Sequence, residues 1–184
     1  MIIGWPDIRP DLPAQNPIPS WHPHITRAGL SQFVTPSTFE YLELGTWLGA
    51  SAKIVHELGI GTDITCIDAF DGRGGGQYDS TVAKTVLKQC IANLWDQRQH
   101  TTLIRDTTIR GIEFLSYQGY RPDLIFIDAD HSTAGCKADI VACMDVWPNA
   151  QICGDDYPEV MHAVIDVLGS SHEVADDGIF WWRK

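Results

Sequence analysis

From residue 39 onward, short continuous apolar runs alternate with segments of helical periodicity. FEYLELG (39–45), DITCIDAF (63–70), TTLIRD (101–106), DLIFIDAD (123–130) and AQICGDD (150–156) have the length and side-chain content of buried strands. Between them, segments 51–59, 81–97, 108–119, 137–147 and 158–169 read as helices; Val82, Val86, Cys90, Ile91 and Leu94 of the second follow a 3.6-residue period. Ser51 and Gly59 suit the two ends of the first helix, and Pro158 suits the first turn of the last. The tail gives two more short strands, HEVAD and GIFWWRK, around a turn at Asp177-Gly178. Apolar strands joined by helices predict an α/β fold with a mostly parallel sheet covered on both faces. Ligands of such sheets sit at the carboxyl ends of the strands, so those ends carry the chemistry.

Two segments break the alternation. Residues 1–23 hold six of the ten prolines, which excludes regular helix there because each proline fixes φ and removes a donor. Residues 1–25 are expected to form an irregular arm strapped across a single domain at 26–184, with Trp5 and Trp21 as anchors; part of a substrate lid is the alternative. The stretch DGRGGGQYDS (71–80) is either a mobile lid or a disordered connector.

Composition narrows the function. Hydrophobic residues make up 44% of the 184-residue chain, an ordinary globular value. There is no apolar run of about 18 residues, and MIIGWPDIRPDL has no basic region leading into an apolar core. A cytoplasmic protein without a membrane span is expected. A net charge of −11 argues against nucleic acid and anionic membranes as partners and suits metal ions. The five cysteines form no CxxC pair and are expected as reduced core thiols.

The strand ends repay a closer look. The first runs through Glu43-Leu-Gly45-Thr46-Trp47-Leu-Gly49-Ala-Ser51, a glycine turn into a helix where backbone N–H groups can approach a ligand. It is neither GxGxxG nor a P-loop, since Trp47 replaces a glycine and no GK[ST] follows. The second ends at Asp68, placed to accept ribose hydroxyls, and the third at Asp106-Thr107, able to border an adenine. Each aspartate alone is more often a helix cap; the two together with the Glu43-Gly45 turn favour an adenosine ligand. The fourth ends in Asp128, Asp130 and His131, the fifth in Asp155-Asp156. If these two strands are neighbours, four carboxylates meet with no Lys or Arg in either motif, an arrangement that a divalent cation such as Mg²⁺, Mn²⁺ or Ca²⁺ would relieve. Solvated helix caps are the alternative, and Asp130 is either a cap or a supporting acceptor.

Taken together, ELGTWLGAS, CIDAFDG, FIDADHS and ICGDDY resemble the class I S-adenosylmethionine-dependent methyltransferases, and methyltransferase family 24 in particular. The resemblance implies a doubly wound, Rossmann-like seven-stranded sheet whose last strand is antiparallel. It implies S-adenosylmethionine held by Glu43, Gly45, Thr46, Gly49, Ser51, Asp68, Asp106 and Thr107. Metal-dependent O-methyltransferases of sugars and catechols imply Mg²⁺ or Mn²⁺ on Asp128, Asp155 and Asp156, with Asp128 and His131 catalytic and His131 the general base. The resemblance implies a small hydroxylated acceptor, with a sugar as one option. An NAD-dependent oxidoreductase and a non-catalytic adenosine-ligand binder are the competing readings. A homodimer is left open.

Overall fold

The computed structural model describes residues 2–38, 40–59, 61–71 and 80–184, the side chains of 80–84 excepted. Its strands are β1 (Ile2–Ile3), β2 (Glu40–Leu44), β3 (Asp63–Asp68), β4 (Thr101–Arg105), β5 (Leu124–Ile127), β6 (Gln151–Gly154), β7 (His172–Val174) and β8 (Trp181–Arg183). Its helices are α1 (Pro23–Leu30), α2 (Ala50–Leu58), α3 (Ser80–Asn93), α4 (Thr108–Tyr117), α5 (Thr133–Val146) and α6 (Tyr157–Leu168).

The strands form one sheet in the order β1-β4-β3-β2-β5-β6-β8-β7. β4, β3, β2, β5 and β6 run parallel, while β8 lies antiparallel to both β6 and β7. Seven of these strands reproduce the expected doubly wound sheet with its antiparallel last strand. The eighth is β1, which pairs antiparallel with β4 from inside the proline-rich arm. Two residues are too few to show a period of 2, so the pattern along the chain carries no sign of it.

Alternation along the strands fills two cores. Tyr41, Cys66, Leu103, Phe126, Cys153 and Phe180 face α1, α2 and α3. Leu42, Leu44, Ile67, Ile104, Ile125, Ile127 and Ile152 face α4, α5 and α6. All five cysteines are buried free thiols. Among the described residues, no helix is long and apolar enough to cross a membrane.

The helices differ in detail from their sequence pattern. Helix α2 is capped by Gly49 at φ 85°, and Ser51 is buried one position inside the helix instead of at its N-cap. Helix α3 stops at Asn93, whose side-chain amide donates to the Leu48 carbonyl; a 3₁₀ segment continues over Trp95–His100. Helix α5 starts four residues earlier than its apolar period, because Ser132 caps it by accepting from the Gly135 N–H at 3.1 Å. Helix α1 begins at Pro23, inside the segment expected to be irregular; proline is tolerated there because the first turn has no intrahelical acceptor for its missing N–H.

The arm itself is a strap. Trp5 Nε1 donates to the Thr101 carbonyl at 2.8 Å, and its ring meets Trp95 edge-on. The Gln15 N–H donates to Asn93 Oδ1 at 2.8 Å, and Gln89 Nε2 donates to the Pro13 carbonyl at 2.9 Å. Trp21 behaves differently: it is 67% exposed, and its ring packs against Trp47 with centroids 4.7 Å apart and planes tilted by 35°. The 71–80 stretch, expected as lid or connector, lies outside the described residues except at its ends.

Candidate active site

The order of the strands reverses between β2 and β5, and the glycine turn lies at that switch point. Gly45 has φ +87°, and a Cβ there would sit 2.0 Å from the Asp128 carbonyl oxygen. Only glycine lets the end of β2 lie this close to the end of β5. The turn is closed by Gly49 N–H donating to the Thr46 carbonyl at 2.8 Å.

Asp68 braces the same turn. Its Oδ2 accepts from the N–H groups of Thr46 at 2.9 Å and Trp47 at 2.7 Å, and its Oδ1 from Phe70 N–H at 2.6 Å. A carboxylate has about four lone-pair sites, so roughly one is left for a ribose hydroxyl. Burial raises the pKa of Asp68, against the pull of the three N–H donors. Asp68 is therefore first a strut for the turn, a use that sequence position alone did not distinguish from ligand binding.

Glu43 is fully buried under the turn and accepts from the Tyr41 hydroxyl at 2.9 Å. Burial pushes its carboxyl up to about 8, and the Ser51 and Tyr41 hydroxyls counter this only in part. Its Oε1 has no donor in hydrogen-bonding geometry among the described residues. At neutral pH Glu43 is thus mainly the neutral acid.

Asp106 and Thr107 lie beyond the end of β4. Asp106 accepts from the Thr107 N–H at 3.0 Å and pairs with Arg110 at 3.3 Å. Both line a cavity of 520 Å³ whose other walls are Ile2, Ile3, Ala69, Leu87 and Arg105. Two of those walls come from β1, so the arm helps to build it. A mostly apolar cleft with an acceptor at one side fits a planar base.

The acidic edge lies on the other side of the turn. Asp128, His131 and Asp156 bring one ligand atom each to within 4.8 Å of one another. His131 Nε2 lies 3.3 Å from Asp128 Oδ1 and 3.4 Å from Asp156 Oδ2, while Nδ1 lies 3.2 Å from Glu159 Oε2. The hydrogen bond that His131 donates to Asp128 is the largest influence on the imidazole, which is pushed up to about 9. Burial pushes Asp128 up to about 6. The proton of this pair resides on the imidazole, because three carboxylates face the ring. Asp156 reaches in from a left-handed backbone, φ 52°, at the N-terminus of α6.

Asp155 and Asp130 are turned elsewhere. Asp155 is 6% exposed, accepts from the Thr26 hydroxyl of α1 at 2.6 Å, and accepts from the Asp156 N–H at 3.0 Å. Strand alternation and the left-handed residue after it send Asp155 and Asp156 to different sides. Asp130 accepts from the Ser132 N–H at 2.8 Å, a local turn ahead of α5. Lys137 pairs with Asp166 at 3.2 Å and does not neutralise the cluster. Sequence reading placed Trp21 only as an anchor or lid residue of the arm and missed His22, Thr26 and Glu159. His22 Nε2 stands 3.8 Å from Asp156 Oδ1, and the His22-to-Thr26 spacing at the start of α1 is the one local sign that both face the same edge.

A doubly wound sheet with a glycine turn, an acidic strut and a cluster of Asp, Asp and His at its carboxyl edge defines a class I S-adenosylmethionine-dependent methyltransferase fold. A family model described as a methyltransferase domain, family 24, matches residues 42–157. The chain belongs to that methyltransferase family, and it is an enzyme of the S-adenosylmethionine-dependent type. Solved structures share the fold. The O-methyltransferase TomG from Streptomyces achromogenes, in complex with S-adenosylmethionine, is 12% identical with a TM-score of 0.62, over 86% of this chain and 78% of that one. A caffeoyl-CoA O-methyltransferase assignment from Staphylococcus aureus is 14% identical with a TM-score of 0.61, over 92% of this chain and 87% of that one. CalS11, a TDP-rhamnose 3'-O-methyltransferase of calicheamicin biosynthesis, is 15% identical with a TM-score of 0.58, over 86% and 77%. No curated protein matches the sequence.

Proposed function

We propose that this enzyme is a divalent-cation-assisted O-methyltransferase acting on a small hydroxylated acceptor, such as a sugar. The observation that carries the reading is the convergence of Asp128, His131 and Asp156 beside the Gly45–Gly49 turn. S-adenosylmethionine supplies a sulfonium methyl group, and Mg²⁺ or Mn²⁺ supplies Lewis acidity that makes a hydroxyl easier to deprotonate. Two carboxylates and water suit either cation.

The residues divide the work. The turn, Glu43, Thr46, Ser51 and Asp68 hold the methionine and ribose side of the cofactor; Asp106 and Thr107 border the adenine. Asp128 and Asp156 hold the cation, and Asp155 fixes the turn that aims Asp156. His131 takes the proton from the acceptor hydroxyl. With Asp128 and Asp156 committed to a cation, the field that holds the His131 proton falls. His131 then becomes competent as a base only in the loaded site.

Calorimetry with S-adenosylhomocysteine tests the cofactor half: a dissociation constant in the micromolar range is expected, and absence of binding sinks the reading. Transfer of labelled methyl to a hydroxylated acceptor, measured with and without EDTA, tests the rest. Activity that survives EDTA removes the cation from the mechanism.

A further inference from the structure

The arm meets the cofactor side of the molecule at separate points along its length. Its first residues form β1, which pairs with β4 through Ile2↔Ile104 and Ile3↔Leu103. That register sets Ile2 beside the carboxyl end of β4, next to Asp106 and Thr107. Ile2 and Ile3 line the 520 Å³ cavity together with those two residues, Ala69, Leu87 and Arg105. Ile2 is 52% exposed although it belongs to a strand. An apolar side chain left open on a cavity wall gains from a ligand that covers it.

A second point is Asn93, at the end of α3. It is 4% exposed, and its side chain faces two ways. Its Oδ1 accepts from the Gln15 N–H at 2.8 Å, and its Nδ2 donates to the Leu48 carbonyl at 2.9 Å. Gln15 belongs to the arm and Leu48 to the Gly45–Gly49 turn, so one buried amide joins the two. Trp21 touches the same turn through Trp47.

Between these points the arm has little to hold it rigid. A two-residue strand is shorter than the usual range and marginal by itself. Trp5 Nε1 donates to the Thr101 carbonyl, and Arg9 Nη2 to the Ala92 carbonyl at 3.3 Å, while Ile8 is 81% exposed. Such a segment belongs to the low-stability end of a fold. A ligand that touches both β1 and the turn binds best when the arm is down, and by linkage it holds the arm down.

Resting on the assignment of adenine to this cavity, we infer that the arm is part of the cofactor site. Ile2 is the outer wall against the adenine, Asn93 is the positioning residue that couples the arm to the glycine turn, and arm docking and cofactor binding form one linked equilibrium.

The test uses the full chain with S-adenosylhomocysteine and with 5'-methylthioadenosine, which keeps the adenosine and lacks the amino-acid part. Calorimetry should show Ile2→Ser weakening both ligands by the same factor, about fivefold, with Ile2→Val close to wild type. At ligand concentrations about 100 times the dissociation constant, amide exchange at residues 2–5 should slow at least about tenfold. Asn93→Ala, or Gln15→Pro if the buried site does not tolerate the change, should reduce the ligand-induced slowing at residues 14–16 and spare that at 2–5. Exchange at 2–5 that saturating ligand leaves unchanged overturns the inference, as does Ile2→Ser with wild-type affinity. An effect of Ile2→Ser on S-adenosylhomocysteine alone also overturns it, because Ile2 would then serve the amino-acid end. Full slowing at 14–16 in both Asn93→Ala and Gln15→Pro removes the coupling role of Asn93. Wild type that binds neither ligand strikes the cofactor assignment itself, whereas wild type that binds both with a silent arm strikes only the linkage.

Discussion

The Thr26 hydroxyl donates to Asp155 Oδ2 at 2.6 Å, joining residues 129 positions apart. The bond ties α1, and with it the end of the arm, to the carboxyl edge of β6. It also gives a buried carboxylate one of its two hydrogen-bond donors among the described residues, the other being the Asp156 N–H. Hydrogen bonds to a buried charged group stabilise by about 1.5–3 kcal/mol. Thr26→Val should therefore lower stability by about 2 kcal/mol in urea unfolding. A double-mutant cycle with Asp155→Asn should return a coupling of about 1 kcal/mol or more. A coupling of zero would mean that the two side chains do not meet in solution.

His131 should titrate far above an ordinary histidine. NMR of its ring protons in the metal-free protein is expected to give a pKa of about 9. Asp128→Asn removes the largest cause and should bring it down toward about 6.5. The sign for stability follows: the folded pKa is raised, so the contribution is complete below about 6.5 and is lost as the pH rises through about 9. Adding Mg²⁺ should lower the His131 pKa. A titration unmoved by both Asp128→Asn and Mg²⁺ would contradict the geometry.

Glu43 works in the opposite direction from an ordinary surface carboxylate. Its folded pKa is raised from 4.5 to about 8, so the folded state holds a proton that the unfolded state releases. Stability should fall across that window by about 1.4 kcal/mol per pH unit. Glu43→Gln keeps an acceptor for Tyr41 and cannot ionise. Relative to wild type, its stability should improve steadily from pH 5 to pH 8 in denaturation midpoints. A difference that stays flat with pH would show that Glu43 is ionised when buried.

Asp156→Asn should weaken Mn²⁺ binding at least tenfold by calorimetry, since it removes one of the two carboxylates to which the proposed function assigns the cation. Unchanged Mn²⁺ affinity would place the cation elsewhere.

Two glycines with the same φ separate strain from crowding. Gly45 and Gly61 both have φ +87°, but a Cβ at Gly61 meets nothing within 4 Å, whereas one at Gly45 would press on the Asp128 backbone. Gly61→Ala should cost about 1–2 kcal/mol, the left-handed penalty alone. Gly45→Ala should cost about 2 kcal/mol more and also lower affinity for S-adenosylhomocysteine. Equal costs would mean that β2 and β5 are not packed this tightly.

Part of the site is legible in local sequence. Asp128 and His131 are three residues apart after an apolar run, so both must leave the same strand end. Asp106 and Thr107 are fixed in the same way at the end of β4. Asp68 is legible as a strand end but not as a strut, because its donors, Thr46 and Trp47, are more than 20 residues away. Asp155 and Asp156 look equivalent on paper. The left-handed backbone at Asp156 separates them, and a positive φ at a non-glycine residue leaves no mark in a hydrophobic pattern. The two-residue strand β1 and helix α1 were hidden for a related reason: prolines and short length mask periodicity, and both elements exist through what they pack against.

The sequence by itself determined where the strands and helices lie and which side chains stand at the strand ends, because burial on both faces of a sheet demands continuous apolar runs. It also determined that acidic residues without Lys or Arg stand at the ends of β5 and β6. The tertiary structure decided which ends are neighbours, through the crossovers that set β2 between β3 and β5 and β5 beside β6. It decided too that the arm returns over the carboxyl edge, setting Trp21 on Trp47, His22 near Asp156 and Thr26 on Asp155. Local pattern reports what a residue must bury; only the packed chain settles what it is buried against.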